Sequence, residues 1–208
     1  FREVDRGGAV VEVFAGTRGL DTATPRVRLG GDSARLGVGL DLLGRILDGS
    51  GAPVDGGPPL LPSDFRDVNG LPVNPAARRH PSEIIETGFS AIDGLNTLLR
   101  GQKLPVFLGY GLPGAELVVG IASRARVAAG EEFVVVVAAM GITRREASYL
   151  VGELGRGGRL GRTVLFLNRA DDPTIERLLT PRLALTAAEY LAFERGFHVL
   201  VVLTDMTT

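Results

Sequence analysis

Four runs of this chain are apolar without alternation: Leu104-Pro105-Val106-Phe107-Leu108, Phe133-Val134-Val135-Val136-Val137-Ala138, Val164-Leu165-Phe166-Leu167 and Val199-Leu200-Val201-Val202-Leu203. A strand with one face in water alternates apolar and polar side chains, because successive side chains point to opposite faces. Runs that do not alternate are covered on both faces, the condition of parallel strands with helices above and below. They recur at a spacing of roughly 30 residues, room for a strand, a crossover helix and two turns. From about residue 88 onward the pattern therefore predicts an α/β fold with a mostly parallel sheet. Sites of such sheets lie beyond the carboxyl ends of the strands. Gly109, Met140 to Thr143, Asn168 to Asp172 and Thr204-Asp205 all fall there. Ser90, with Asp93 three residues on, predicts a short capped helix. Thr180 as N-cap, Pro181 as first helical residue and Gly196 past the end predict a helix near 181–195.

The first run opens a strand-loop-helix unit. Gly109-Tyr110-Gly111-Leu112-Pro113-Gly114-Ala115-Glu116 leads into an Ala- and Val-rich helix over Leu117 to Ala129. A phosphate loop uses glycines so that backbone N–H groups converge on oxygens, a Lys for the outer phosphates and a Ser or Thr for Mg²⁺. Gly109 and Gly114 have that spacing, but Ala115 and Glu116 stand where Lys and Ser or Thr belong. Ala115 carries no charge, and Glu116 repels phosphate. Pro113 suits a helix start, and Glu116 is expected to stand in for the missing phosphate by bonding the free N–H groups there. Taken alone, the octapeptide also reads as an ordinary tight turn. Asp205 ends the last apolar run, where a carboxylate could hold Mg²⁺ through water or cap a turn. His80 and His198 stand apart with no partner pattern, so no metal site is expected.

Residues 9–14 and 26–29 read as short strands separated by Gly-rich turns. Too few to close a barrel, they are expected to be the end of a β domain covering 1–40. Residues 41–208 form the second expected domain, led by a Pro/Gly-rich segment over 45–82. That segment forbids a long helix but is too apolar for a flexible linker, so it is expected to pack along a surface. Net charge is −1, which gives no electrostatic case for nucleic acid or an anionic membrane. No Cys is present, which removes thiol chemistry and Cys-ligated zinc. No apolar run reaches about 18 residues, the length that spans a bilayer as a helix. The first residue is Phe1 and the last residues follow an apolar strand, so an incomplete, association-prone chain is expected.

Six stretches together carry a resemblance. They are Leu71-Pro72-Val73-Asn74-Pro75, Thr87-Gly88-Phe89-Ser90-Ala91-Ile92-Asp93, Arg100-Gly101-Gln102-Lys103-Leu104-Pro105, Ala138-Ala139-Met140-Gly141-Ile142-Thr143, Asp171-Asp172-Pro173-Thr174-Ile175-Glu176-Arg177, and Leu203-Thr204-Asp205-Met206-Thr207. In order and over nearly the whole chain, they resemble the rotary ATPase α/β family, most closely its archaeal and vacuolar-type B-subunit branch. The resemblance implies a RecA-like nucleotide-binding core preceded by the end of an N-terminal β-barrel. A C-terminal helical domain would be absent.

Catalytic members of that family carry Lys and Thr where this chain has Ala115 and Glu116. They also carry a water-orienting Glu where it has Ile142, which cannot accept a proton. The resemblance therefore implies a non-catalytic, regulatory subunit with no catalytic residues of its own. The degenerate loop positions Gly109, Gly111, Gly114 and Glu116, with the Asp205 carboxylate, mark the vestigial nucleotide site. Tyr110 departs from the usual small residue. The implied partners are catalytic A subunits in an A3B3-type ring and a central stalk, with no nucleic acid and no membrane insertion. The implied cofactor is ATP or ADP with Mg²⁺ at the interface with the A subunit, none being bound by this chain alone. The implied location is cytoplasmic, peripheral to a membrane. Arg144, Arg145 and Arg177 would lie on the side of a neighbouring subunit, or equally be solvated. Alternative readings are a stand-alone RecA-like ATPase of the secretion or flagellar type, and a nucleotide-sensing binding module.

Overall fold

The computed structural model describes residues 3–4, 8–10, 19, 21, 23, 24, 26, 33–70, 76, 80–127 and 132–206. Its centre is a four-stranded, all-parallel sheet. The strands are β4 (Ile46–Asp48), β8 (Phe133–Ile142), β9 (Thr163–Arg169) and β10 (His198–Leu203), in the order β10-β8-β9-β4. Helix α3 (Arg144–Arg156) connects β8 to β9, and helix α4 (Thr174–Glu189) connects β9 to β10.

The unbroken apolar character of the strands has its expected cause. Along β8, Val134, Val136 and Ala138 enter one core with Leu183, Ala184 and Ala187 of α4. Phe133, Val135 and Val137 enter the other, with Leu154 of α3 and Ala122 of α2 (Gly114–Arg124). Each side chain of β8 through Met140 is buried, whichever face it takes. At about 1.5–3 kcal/mol for each large apolar side chain removed from water, this strand anchors the domain.

The leading segment is more structured than its composition implies. Ile46–Asp48 joins the main sheet as β4, parallel to β9. β3 (Arg35–Val38) pairs antiparallel with β5 (Asp64–Asp67), and Leu36, Val38 and Val68 complete the α4-side core. β6 (Ile84–Ile85) pairs with β7 (Leu98–Leu99) around the short helix α1 (Ser90–Leu95). β1 (Glu3–Val4) and β2 (Ala9–Val10) form a small antiparallel pair. Most of the expected strands over 9–14 and 26–29, and nearly all of 71–79, lie outside the described residues.

Three expectations need correction. Residues 104–108 form no strand and are largely exposed, Phe107 to 91%. A buried strand needs a ladder partner, and the sheet stops at β10, whose outer edge pairs with no described strand. Pro105 moreover has no N–H to contribute. The predicted helix near 181–195 starts earlier, at Thr174 after Pro173, and runs through Pro181 into a π-helical turn over Tyr190–Glu194. Thr180 caps nothing; its hydroxyl donates to the Glu176 carbonyl at 2.7 Å. Gly196 does end the segment with φ +76°. Ser90 does not cap α1, whose N-cap is Phe89. Asp93 instead accepts from Thr87 N, Thr87 Oγ1 and Gly88 N, at 2.8, 2.7 and 3.0 Å.

Candidate functional site

β8 is followed in the sheet by β9 on one side, and the chain then crosses to place β10 on the other. The crevice beyond the carboxyl ends of β8 and β10 is where an open α/β sheet holds ligands. A register irregularity between Ala139 and Ile142 turns the end of β8 outward, with Gly141 at φ +63°. A side chain there would meet the Arg177 guanidinium carbon at 3.3 Å, so glycine is required on both counts.

Asn168, at the end of β9, is fully buried. Its Oδ1 accepts from Gly141 N at 3.3 Å and from Arg177 Nε at 3.2 Å, tying β8, β9 and α4 together. Its Nδ2 has no partner among the described residues. Thr204, just past β10, accepts from Met140 N at 2.8 Å. Asp205 follows in the left-handed region at φ 44° and is exposed. One of its carboxylate oxygens comes within 3.5 Å of the place a Cβ would take on Gly141. The sheet thus brings Met140 to Thr143, Asn168 to Asp172 and Thr204-Asp205 to the ends of its strands, as expected; Gly109, expected there too, follows no strand.

Three other carboxylates of this rim are committed. Asp171 accepts from Arg144 at 2.6 Å, a contact that holds its carboxyl below the usual range. Asp172 pairs with Arg169 at 3.0 Å. Glu146 closes a reciprocal cap with Thr143 at the start of α3. Ile142 is half-buried and offers no proton acceptor. Among the described residues, the rim offers the half-buried Arg177 as donor and the exposed Asp205 as carboxylate.

The loop before α2 is glycine-rich and exposed. Its hydrogen bonds are internal, Leu112 N to Gly109 O at 3.2 Å and Gly114 N to Leu112 O at 2.9 Å, and Gly111 takes φ +81°. Gly114 opens the helix, with Pro113 before it and no side-chain cap. Glu116 is exposed and accepts none of the helix-start N–H groups. The expectation that its carboxylate replaces a phosphate is therefore corrected: on the first turn the side chain leaves the axis and reaches water. Sequence reasoning missed the Asn168–Arg177 pair. The signal was a single Asn closing an apolar run, a polar group that burial obliges to find partners.

The loop 109–116 contains neither Lys, Ser nor Thr, and among the described residues no group of three His, Cys, Asp or Glu is placed to hold a metal. No helix among the described residues is long and apolar enough to cross a membrane.

Residues 88–208 match the nucleotide-binding domain of the ATP synthase alpha/beta family. The chain is 59% identical over 206 residues to the B subunit of the A-type ATP synthase of Methanopyrus kandleri, covering 99% of this chain and 21% of that one. It is 56% identical over 213 residues to the V-type ATP synthase beta chain of Thermus thermophilus, covering 99% of this chain and 45% of that one. A solved structure of a unique ATP synthase subunit, NeqB from Nanoarcheaum equitans, superposes with a TM-score of 0.72 at 36% identity. That superposition covers 83% of this chain and 41% of the other. The chain thus spans less than half the length of the relatives it matches.

Proposed function

Because the chain belongs to the ATP synthase alpha/beta family, we propose that it is the nucleotide-binding portion of a non-catalytic B subunit of a rotary A/V-type ATP synthase. In this reading it alternates with catalytic A subunits in a hexameric ring and completes their interfacial ATP sites. Synthesis or hydrolysis of ATP, coupled to proton or sodium transport, belongs to the assembly. The observation that carries the reading is identity of 56–59% to B subunits across 99% of the chain.

The chemistry of the strand ends agrees with a non-catalytic part. Phosphoryl transfer requires charge against the outer phosphates and a group that orients the attacking nucleophile. Ala115, Glu116 and Ile142 supply neither. Nucleotide binding is the property of the family domain; in our proposal Mg²⁺ and the catalytic groups come from the A subunit across the interface. This chain would contribute shape, the rim of β8 and β10, and movement as the central stalk turns. The ring would sit peripheral to the membrane on the cytoplasmic side. A stand-alone secretion-type ATPase is not favoured by these relatives.

Titration with fluorescent ATP, alone and with a catalytic A subunit, tests the reading. We expect saturable binding that appears, or tightens at least tenfold, only when both are present, about 1.4 kcal/mol of coupling or more. Equal binding by the chain alone would point to a nucleotide-sensing module instead.

A further inference from the structure

The turn that follows β4 closes on itself and on the start of α4. Asp48 Oδ1 accepts from Ser50 N, Ser50 Oγ and Ala52 N at 2.9, 2.7 and 2.9 Å, and Asp48 N donates to Ala52 O at 2.8 Å. Gly49 lies hard against the helix. A Cβ on it would stand 2.8 Å from Glu176 Cβ, 3.0 Å from Glu176 Oε2 and 3.0 Å from Thr180 Oγ1. The Glu176 side chain is thus held between turn and helix, half-buried. Its carboxylate makes no hydrogen bond or ion pair with any described residue. The charged groups that face it are Asp48 from the turn, Asp172 from the residues before α4, and Arg169 from the end of β9. Arg169 is already engaged with Asp172 at 3.0 Å. A half-buried carboxylate beside two others and one engaged guanidinium is costly in its ionised form. Burial first, then Asp48 and Asp172, raise the Glu176 carboxyl above its ordinary range.

We propose that the Asp48–Ala52 turn is a proton-sensitive clamp on the start of α4, gripping the helix when Glu176 is protonated and loosening when it is ionised. An ionised Glu176 must stay dry beside two like charges or draw water into the contact with Gly49. A protonated one needs less water, loses the repulsion and gains an O–H donor. The sign follows from the raised folded-state value. Above it, the charge destabilises the contact; the cost is relieved as pH falls through it, fully so near the ordinary glutamate value of about 4.3. The clamp lies one peptide from the rim. Arg177, the next residue, donates to Asn168 Oδ1 at 3.2 Å. Proton uptake by Glu176 therefore steadies the helical turn that carries the guanidinium of the rim. The inference uses contacts within this chain alone and stands independently of the proposed subunit role.

Amide exchange in the 208-residue chain, followed by NMR at about pH 7.5 and about pH 5, tests it. Gly51 N donates to Asp48 O at 3.1 Å and Ala52 N to Asp48 Oδ1 at 2.9 Å, so both amides report the closed turn. Their rates are read as protection factors, which remove the intrinsic pH dependence of exchange. We expect protection at least about threefold greater at the lower pH. Glu176→Gln, neutral throughout, should show the greater protection at both pH values. Gly49→Ala, which forces turn and helix apart, should show weak protection at both. Constant protection in the unaltered chain would overturn the proposal. So would a rise that Glu176→Gln or Gly49→Ala leaves unchanged, which would assign it to a carboxyl outside this contact. Weaker protection in Glu176→Gln than in the unaltered chain at the higher pH would overturn it too, because the turn would then need the charge.

Discussion

Asp55 shows how one carboxylate organises a segment whose composition announces only turns. It accepts from Arg45 Nε at 2.6 Å, Arg45 Nη2 at 2.9 Å, Ile46 N at 3.1 Å and Gly57 N at 2.9 Å. The Arg45 guanidinium, with those two backbone donors, overcomes partial burial and holds the Asp55 carboxyl far below the usual carboxylate range. A depressed folded-state value means that the ion pair stabilises the fold at neutral pH. That contribution declines only as pH falls below about 4, where the unfolded chain takes up the proton, and is gone once the folded carboxyl is protonated too. Asp55→Asn should cost about 2 kcal/mol at pH 7, read by denaturant unfolding, with the difference shrinking in acid. Glu116 is the opposite case. Exposed and unbonded to the helix start, it should tolerate Gln or Lys within about 0.5 kcal/mol. A loss above about 1 kcal/mol in either variant would revive the capping role that the structure denies.

At the scale of elements, what could be read was whatever depends on a strand's own neighbours in sequence. The runs at 133–138, 164–167 and 199–203 became β8, β9 and β10 because they pair with one another in parallel register. Leu104 to Leu108 has the same composition and did not, because strand formation is decided by a ladder partner that composition does not report. Ile46–Asp48 failed the other way: three residues among glycines and prolines carry no periodic signal, yet the free edge of β9 recruits them. Pro181 looked like a helix start because proline fits the first turn. Here the start is set upstream, where Pro173 precedes Thr174, and the helix accepts the lost N–H of Pro181 while burying Leu183, Ala184 and Ala187. The turn into α3 gives two measurable consequences. Thr143→Ala removes the side-chain acceptor of a complete capping box and should cost about 1 kcal/mol. Gly141→Ala forces a Cβ into left-handed backbone against Arg177, and should cost about 1–3 kcal/mol in thermal or chemical denaturation.

For the whole molecule, the meeting of the ends of β8, β9 and β10 was legible and their bonding was not. Parallel strands put Met140 to Thr143, Asn168 and Thr204-Asp205 on one rim whatever their side chains do. That Asn168 turns inward to bind Gly141 and Arg177 depends on the irregular end of β8, which no local pattern announces. That Ala115, Glu116 and Ile142 stand where catalytic members would carry Lys, Thr and Glu is implied only by the family resemblance, since Ala, Glu and Ile are unremarkable alone. The central claim is that this chain carries no ATP-hydrolysing site of its own. Steady-state ATP turnover by the purified chain tests it most directly, beside the A115K/E116T double variant and a parallel preparation carrying Asp205→Asn. We expect no turnover above the contaminant level in the chain, and none in A115K/E116T, because Ile142 still leaves the attacking water unoriented. Turnover by the unaltered chain that survives repurification and falls in the Asp205→Asn variant would contradict the account.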